Sequence, residues 1–222
     1  GTSWMAMFAL NMMRIAMELA LYNPVYEDMA IKFFEHYLYI AEAMESLGED
    51  KKGLWDEEDG FFYDVLQLND GTGISLKLRS IVGLIPMFAV EVVEHDMLEK
   101  MPKFKARMDW ILKNKEELAN LVSHWEVEGK GRKHLMSILR KNRLTKILNR
   151  MLDEKEFLSE FGIRSMSKTY EEKPFQLEIN GINHVVHYTP AESDSRMFGG
   201  NSNWRGPIWF PINFLIVESL QR

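Results

Sequence analysis

The chain begins with a nearly unbroken apolar run from Ser3 to Tyr22, in which the strongly polar positions are Asn11, Arg14 and Glu18. These recur three and four residues apart, so on a helix they form one narrow stripe. Such a stripe argues against a membrane span and predicts a helix almost wholly enclosed by protein. Asn23-Pro24 then predicts an N-cap and a proline at the first helical position. The helix that follows sets Val25, Met29, Phe33, Tyr37, Ile40, Met44 and Leu47 on one face. Asp28, Lys32, Glu35 and Glu42 lie opposite, and Gly48 is placed to end it.

The alternation of enclosed and amphipathic segments recurs. Ser80 to Val93, "SIVGLIPMFAVEVV", is apolar on every side and predicts a second enclosed helix, kinked at Pro86. An amphipathic segment with Met97, Met101, Phe104, Met108 and Ile111 on one face comes next, and another is expected from Arg143 to Leu152. A third apolar helix is expected from near Gly206-Pro207 through "IWFPINFLIVESL". Strand pairs fall between these helices. "FFYDVLQL" and "ISLKL" flank "NDGTG", while "FQLEI" and "INHVVHY" flank Asn180-Gly181, a favoured hairpin turn.

Enclosed helices covered by amphipathic ones predict two concentric layers, a toroid of helical hairpins with small β-hairpin insertions; an α-solenoid is the alternative. The last apolar helix has no amphipathic partner after it, and an uncovered apolar helix is an association surface. The expectation is therefore a single partial domain over residues 1–222, cut at both ends from a longer protein.

Composition narrows the function classes. With 222 residues, 46% hydrophobic and 27% charged, the chain is globular rather than disordered. A net charge of −6 argues against nucleic-acid binding, which needs a basic face. The absence of cysteine excludes disulfides and thiolate metal sites and fits a reducing, cytoplasmic setting. The 15 methionines read as adaptable core filling.

Four segments are candidates for chemistry. In "NWRGPIWFP", Trp204 and Arg205 precede a proline suited to a helix start; an indole offers a flat wall to a sugar ring, and a guanidinium a fork for hydroxyls or a carboxylate. Structural packing of the Trp, with the Arg bonding a loop carbonyl, is the competing account. "FGIRSMS" is either a polar rim carrying Arg164 or a solvated turn. "LWDEEDGFFYD" carries Asp56 and Asp64 in an acidic stretch without the spacing of a calcium loop, and reads as a turn before a hairpin whose acids could reach substrate. The six histidines make no metal site: His184 and His187 point to opposite faces of a strand, and His124 with Glu126 supplies two ligands at most. No Ser-His-Asp elbow, phosphate loop or dinucleotide fingerprint is present.

Taken together, "GTSWMAMFALNMMRIAMELA", "LWDEEDGFFYDVL", "FGIRSMS" and above all "GGNSNWRGPIWFPINFLIVESL" resemble glycoside hydrolase family 63, in particular its bacterial glucosidase-like and mannosylglycerate hydrolase-like members. The resemblance implies an (α/α)6 toroid with a central glycoside cavity and inverting hydrolysis of an α-glucoside or α-mannoside, without metal or organic cofactor. It implies two carboxyl groups ~6.5–9.5 Å apart, one acid and one base. Both are expected outside this sequence, upstream of Thr2 and downstream of Leu220, so the piece alone is expected to be inactive. By the same resemblance Trp204 and Arg205 line the sugar site and Gly206 lets the backbone approach; Trp4, Asp56, Asp64 and Arg164 are candidates at the cavity mouth. The partner expected is a small carbohydrate, with neither nucleic acid nor membrane. A noncatalytic helical scaffold or a carbohydrate-binding module is the alternative function.

Overall fold

The first apolar run does fold as a helix, but its enclosure is one-sided. The computed structural model describes residues 1–46, 53–119, 132–179, 181–189 and 208–222. In it, α1 spans Thr2–Ala20 and packs against α2, Tyr26–Glu45. Ala6, Ala9, Leu10, Met13, Ala16 and Met17 are buried on one face, the alanines allowing close approach. Met5, Phe8, Met12, Ile15 and Leu19 are 41–55% exposed on the other, which corrects the expectation of near-complete enclosure. Of the polar stripe, Arg14 donates to the Val92 carbonyl at 3.2 Å and pairs with Glu94 at 2.6 Å, tying α1 to the strand that holds them.

Helix α2 starts later than Asn23-Pro24 predicts. Pro24 and Val25 lie in a turn, and Asn23 Oδ1 accepts the Val25 N–H at 3.2 Å, so the capping residue bonds outside the helix proper. The buried arc carries Ala30, Phe34, Tyr37, Leu38, Ala41 and Met44, whereas Val25 and Met29 are exposed. That face is rotated from the predicted one because α2 is covered from two sides, by α1 and by α4, Pro102–Asn114. Leu47 and Gly48 lie outside the described residues. The buried Glu27 carboxylate accepts the N–H groups of Lys103 and Phe104 at 2.9 and 3.1 Å, capping α4 from α2 where Met101 has no side chain that can do so.

The second predicted enclosed helix is the largest correction. Ser80–Val93 forms a 3-10 helix, Ile81–Phe88, followed by a strand, β5 (Val90–Glu94). Pro86 lacks a donor, while Ile81, Val82, Ile85 and the valines after it are β-branched, so apolarity without helix propensity goes to a tighter turn and then to a strand. Ser80 Oγ accepts the Val82 N–H at 3.3 Å and starts the 3-10 turn. This segment sits at the centre of the molecule, touched by α1, by α6 (Lys141–Met151), by α7 (Phe210–Gln221) and by the strand Phe61–Phe62.

The strands form separate antiparallel pairs. β1 (Trp55–Asp56) pairs with β2 (Phe61–Phe62), and β3 (Asp64–Gln67) with β4 (Gly73–Leu76) in the expected hairpin. β5 pairs with β6 (Lys133–Ser137), a long-range pairing the sequence pattern did not announce. β7 (Leu158–Ser159) pairs with β8 (Gly162–Ile163), and β9 (Phe175–Ile179) with β10 (Ile182–Val186) about Gly181, whose φ of 76° suits the hairpin turn. Two short helices, α3 (His95–Glu99) and α5 (Glu116–Ala119), flank α4; Met101, Phe104, Met108 and Ile111 are buried as the amphipathic pattern requires, while in α3 Leu98 is buried and Met97 only half-buried. The described residues are thus mainly helical with small strand pairs, and none of their helices is long and apolar enough to cross a membrane.

Candidate functional site

Residues 76–80 alternate Leu, Lys, Leu, Arg, Ser, and an extended backbone sends successive side chains to opposite sides. Leu76, Leu78 and Ser80 turn to one cavity, Lys77 and Arg79 to another. Phe62 and Asp64 join the first set and Tyr63 the second, by the same alternation.

The first cavity, about 320 Å³, is closed by Gly1 and Trp4 of the α1 entry and by Val82, Gly83 and Ile85 of the 3-10 helix. Trp4 is braced by Phe88, ring centres 5.8 Å apart. Gly83 is required here: a Cβ on it would lie 2.2 Å from Phe61 Cε1 and 2.6 Å from the Phe62 carbonyl oxygen. The Asp64 carboxylate has no hydrogen-bond partner among the described residues and stands exposed at the edge. The cavity thus offers aromatic and aliphatic walls with one free carboxylate, which suits a ring with an apolar face and hydroxyls at its margin.

Two of the sequence candidates, Trp4 and Asp64, therefore meet in one cavity. Asp56 does not join them. Its Oδ1 accepts the Asp59 N–H at 2.8 Å and its Oδ2 pairs with Lys77 at 2.8 Å, fixing the β1–β2 turn. Burial opposes its ionisation, but these bonds prevail and hold its carboxyl below the usual range. Arg164 is turned to the backbone, donating to the carbonyls of Glu154, Glu156 and Leu158. Its segment is a buried seam rather than a rim. Ile81 N–H donates to the Ser165 carbonyl at 2.9 Å and Ser167 N–H to the Arg79 carbonyl at 3.0 Å. On the other side Arg164 pairs with Ile208, and Asn213 clamps both backbone groups of Ile163. The seam thereby fixes the entry to α7, which starts at Phe210, later than Pro207 predicts. Trp204, Arg205, Gly206, His124 and Glu126 lie outside the described residues.

A second cluster escaped the sequence reading. Tyr63 OH donates to Asp59 Oδ2 at 3.1 Å, and Arg79 bonds Asp59 at 3.1 Å and Tyr63 OH at 3.3 Å. Arg79 also pairs with Glu156 at 3.5 Å, and Arg150 bonds both Glu156 and the Asp59 carbonyl. Burial works against the Arg79 charge, but Tyr63, Glu156 and Asp59 keep the guanidinium firmly protonated. For Asp59, burial likewise opposes ionisation, and the bonds from Arg79 and Tyr63 outweigh it and lower its pKa. Among the described residues no group of three His, Asp or Glu comes together to hold a metal.

Comparison with known proteins identifies the seam and the last helix. Residues 132–222 match the sequence model of the Glycosyl hydrolase family 63 C-terminal domain. This part of the chain belongs to glycosyl hydrolase family 63. The family 63 match starts at β6 and takes in α6, the buried seam and α7. An uncharacterized protein of Saccharomyces cerevisiae, YMR196W, is 48% identical over 234 aligned positions, covering all of this chain and 21% of that protein. A probable mannosyl-oligosaccharide glucosidase of Schizosaccharomyces pombe is 36% identical over 78 residues, 35% of this chain and 7% of its own length. The chain described here therefore spans a small fraction of the curated relatives it matches, and through residues 132–222 it is related at family level to glycosidases.

Proposed function

We propose that this chain forms one wall of the glycan cavity of an inverting glycoside hydrolase acting on an α-glucoside or α-mannoside. The observation that carries the reading is the meeting of Trp4 and Asp64 in a cavity of about 320 Å³, in a chain whose last 91 residues match a glycosyl hydrolase family. Trp4 and Phe62 stack on the sugar, and Asp64 accepts its hydroxyls. The general acid and base come from other parts of the polypeptide, and the helices form part of an (α/α)6 toroid. The exposed apolar faces of α1 and α7 support this arrangement, because further helices would cover them. Trp204, Arg205 and Gly206, outside the described residues, are assigned to sugar binding on the family resemblance alone.

The full-length protein tests the reading. Hydrolysis of α-glucosides and α-mannosides should release the inverted anomer, followed by NMR of fresh product. Trp4→Ala should lower kcat/KM about ten-fold or more, roughly 1.4 kcal/mol, in protein that stays folded at the assay temperature despite the lost packing on Phe88. Arg205→Ala should act in the same direction. Retention of configuration would overturn the inverting mechanism, and a Trp4→Ala enzyme of wild-type efficiency would remove this cavity from the substrate path.

A further inference from the structure

The second cavity, about 650 Å³, opens between the β1–β2 turn, Lys77–Arg79 and the start of β9. It shares no lining residue with the 320 Å³ cavity, and Tyr63 alone also lines a small recess beside Trp4 and Asp64. One side is the hydrogen-bonded array of Asp59, Tyr63, Lys77 and Arg79. The other is aromatic: Tyr170 and Phe175 meet edge to face, ring centres 6.3 Å apart at 78°. Tyr170 is fixed in place, since its hydroxyl accepts the Arg79 N–H at 2.8 Å and donates to the Lys77 carbonyl at 3.1 Å. At the rim, the exposed side chains of Lys173 and Gln176 have no partners among the described residues.

Charge selects the class of ligand. Lys77 is matched by Asp56 and Asp59, and Arg79 by Asp59 and Glu156. A phosphate or carboxylate would compete with these carboxylates for Lys77 and Arg79, and the neighbouring Glu172 offsets the charge of Lys173, the lining cation without a partner among the described residues. A neutral hydroxyl-rich ligand faces no such competition. Its hydroxyls both donate and accept, so they fit between polarised partners while its apolar face rests on Phe175 and Tyr170. We propose that this cavity is a second sugar-binding site, separate from the central one. The choice of a sugar among neutral polyols rests on the glycoside hydrolase reading.

The test is a saturation-transfer NMR titration of the full chain with methyl α-D-glucopyranoside. In the Trp4→Ala background, transfer that persists, disappears on adding Phe175→Ala and weakens about five-fold on adding Lys173→Ala/Gln176→Ala supports the second site. The rim residues are exposed, so that double variant reports on binding even where Phe175→Ala loosens the β9–β10 ribbon. Loss of all transfer in Trp4→Ala overturns the second site and leaves the central reading standing. Transfer unchanged by Trp4→Ala and abolished by Phe175→Ala supports the second site and overturns the central one. No transfer to wild-type protein overturns both. Displacement of the sugar from the Trp4→Ala protein by millimolar inorganic phosphate overturns the neutral-ligand assignment.

Discussion

Asp59 and Asp64 stand five residues apart and face different cavities, and their surroundings give them opposite roles. Asp59 is held by Tyr63, Lys77 and Arg79, so its charge is neutralised within the protein. Asp64 has no partner among the described residues and remains available to a ligand. The segment 76–80 makes the division, sending two cations to one side and two leucines and a serine to the other. Acidity alone therefore says little about function; what decides is which side of an alternating strand the cations take.

The strongest way to break the comparison is to disturb the wall of the Trp4–Asp64 cavity, behind which Phe61 packs on Tyr63 of the other. Gly83→Ala puts a Cβ against Phe61 and the Phe62 backbone, neither of which is the free end of a flexible chain. Phe61 is fully buried and stacked on Phe157, ring centres 5.8 Å apart, so it cannot retreat. The expected cost is about 3 kcal/mol in urea unfolding, with both cavities impaired. A variant within about 0.5 kcal/mol of the parent would show that the 3-10 helix does not approach β2 this closely.

The sequence exposed some of this and hid the rest for identifiable reasons. The period of α1, α4 and α6 and the two hairpin turns were readable because local pattern and local structure agree there. Ser80–Val93 misled because uniform apolarity carries no period, and the choice between helix and strand fell to Pro86, the β-branched residues and the pairing of β5 with β6. Trp4 and Asp64 line one cavity, whereas Arg164, whose segment could be read as a rim or a turn, places its guanidinium on three backbone carbonyls that nothing local announces. The Asp59–Tyr63–Arg79 cluster was missed although "LKLRS" alternates plainly. Its significance depends on Glu156 and Tyr170, which only the tertiary fold brings near.

A medium-sized effect separates the two sides directly. Arg79→Met removes the cation shared by Asp59 and Glu156, and Glu156 Oε2 is already buried without a hydrogen-bond partner among the described residues. Weakening both pairs should cost about 2 kcal/mol, less than the ~3–5 kcal/mol of a fully buried broken pair because Glu156 keeps Arg150 and Asp59 keeps Lys77 and some contact with water. Asp64→Asn should change stability by less than about 0.5 kcal/mol, having no partner to lose. Equal destabilisation by the two substitutions, measured by urea unfolding at neutral pH, would erase the distinction between paired and free.

The smallest expected effect concerns acid. Asp56 and Asp59 both have folded-state pKa values below their unfolded ones, so the unfolded chain binds protons more readily. Their contribution is fully present above the unfolded carboxyl range, near pH ~4, and fades as pH falls through the lower folded values. Both groups keep partial solvent contact, which weakens the pairs and makes the loss modest. Urea midpoints measured from pH 5 down to pH 3, a range set by those reference values, should therefore fall less steeply for Asp59→Asn than for the parent, from a lower starting stability. If the Asp59 variant falls as steeply as the parent, the cations of residues 77 and 79 do not hold the Asp59 carboxylate, and the contrast between the two sides is lost.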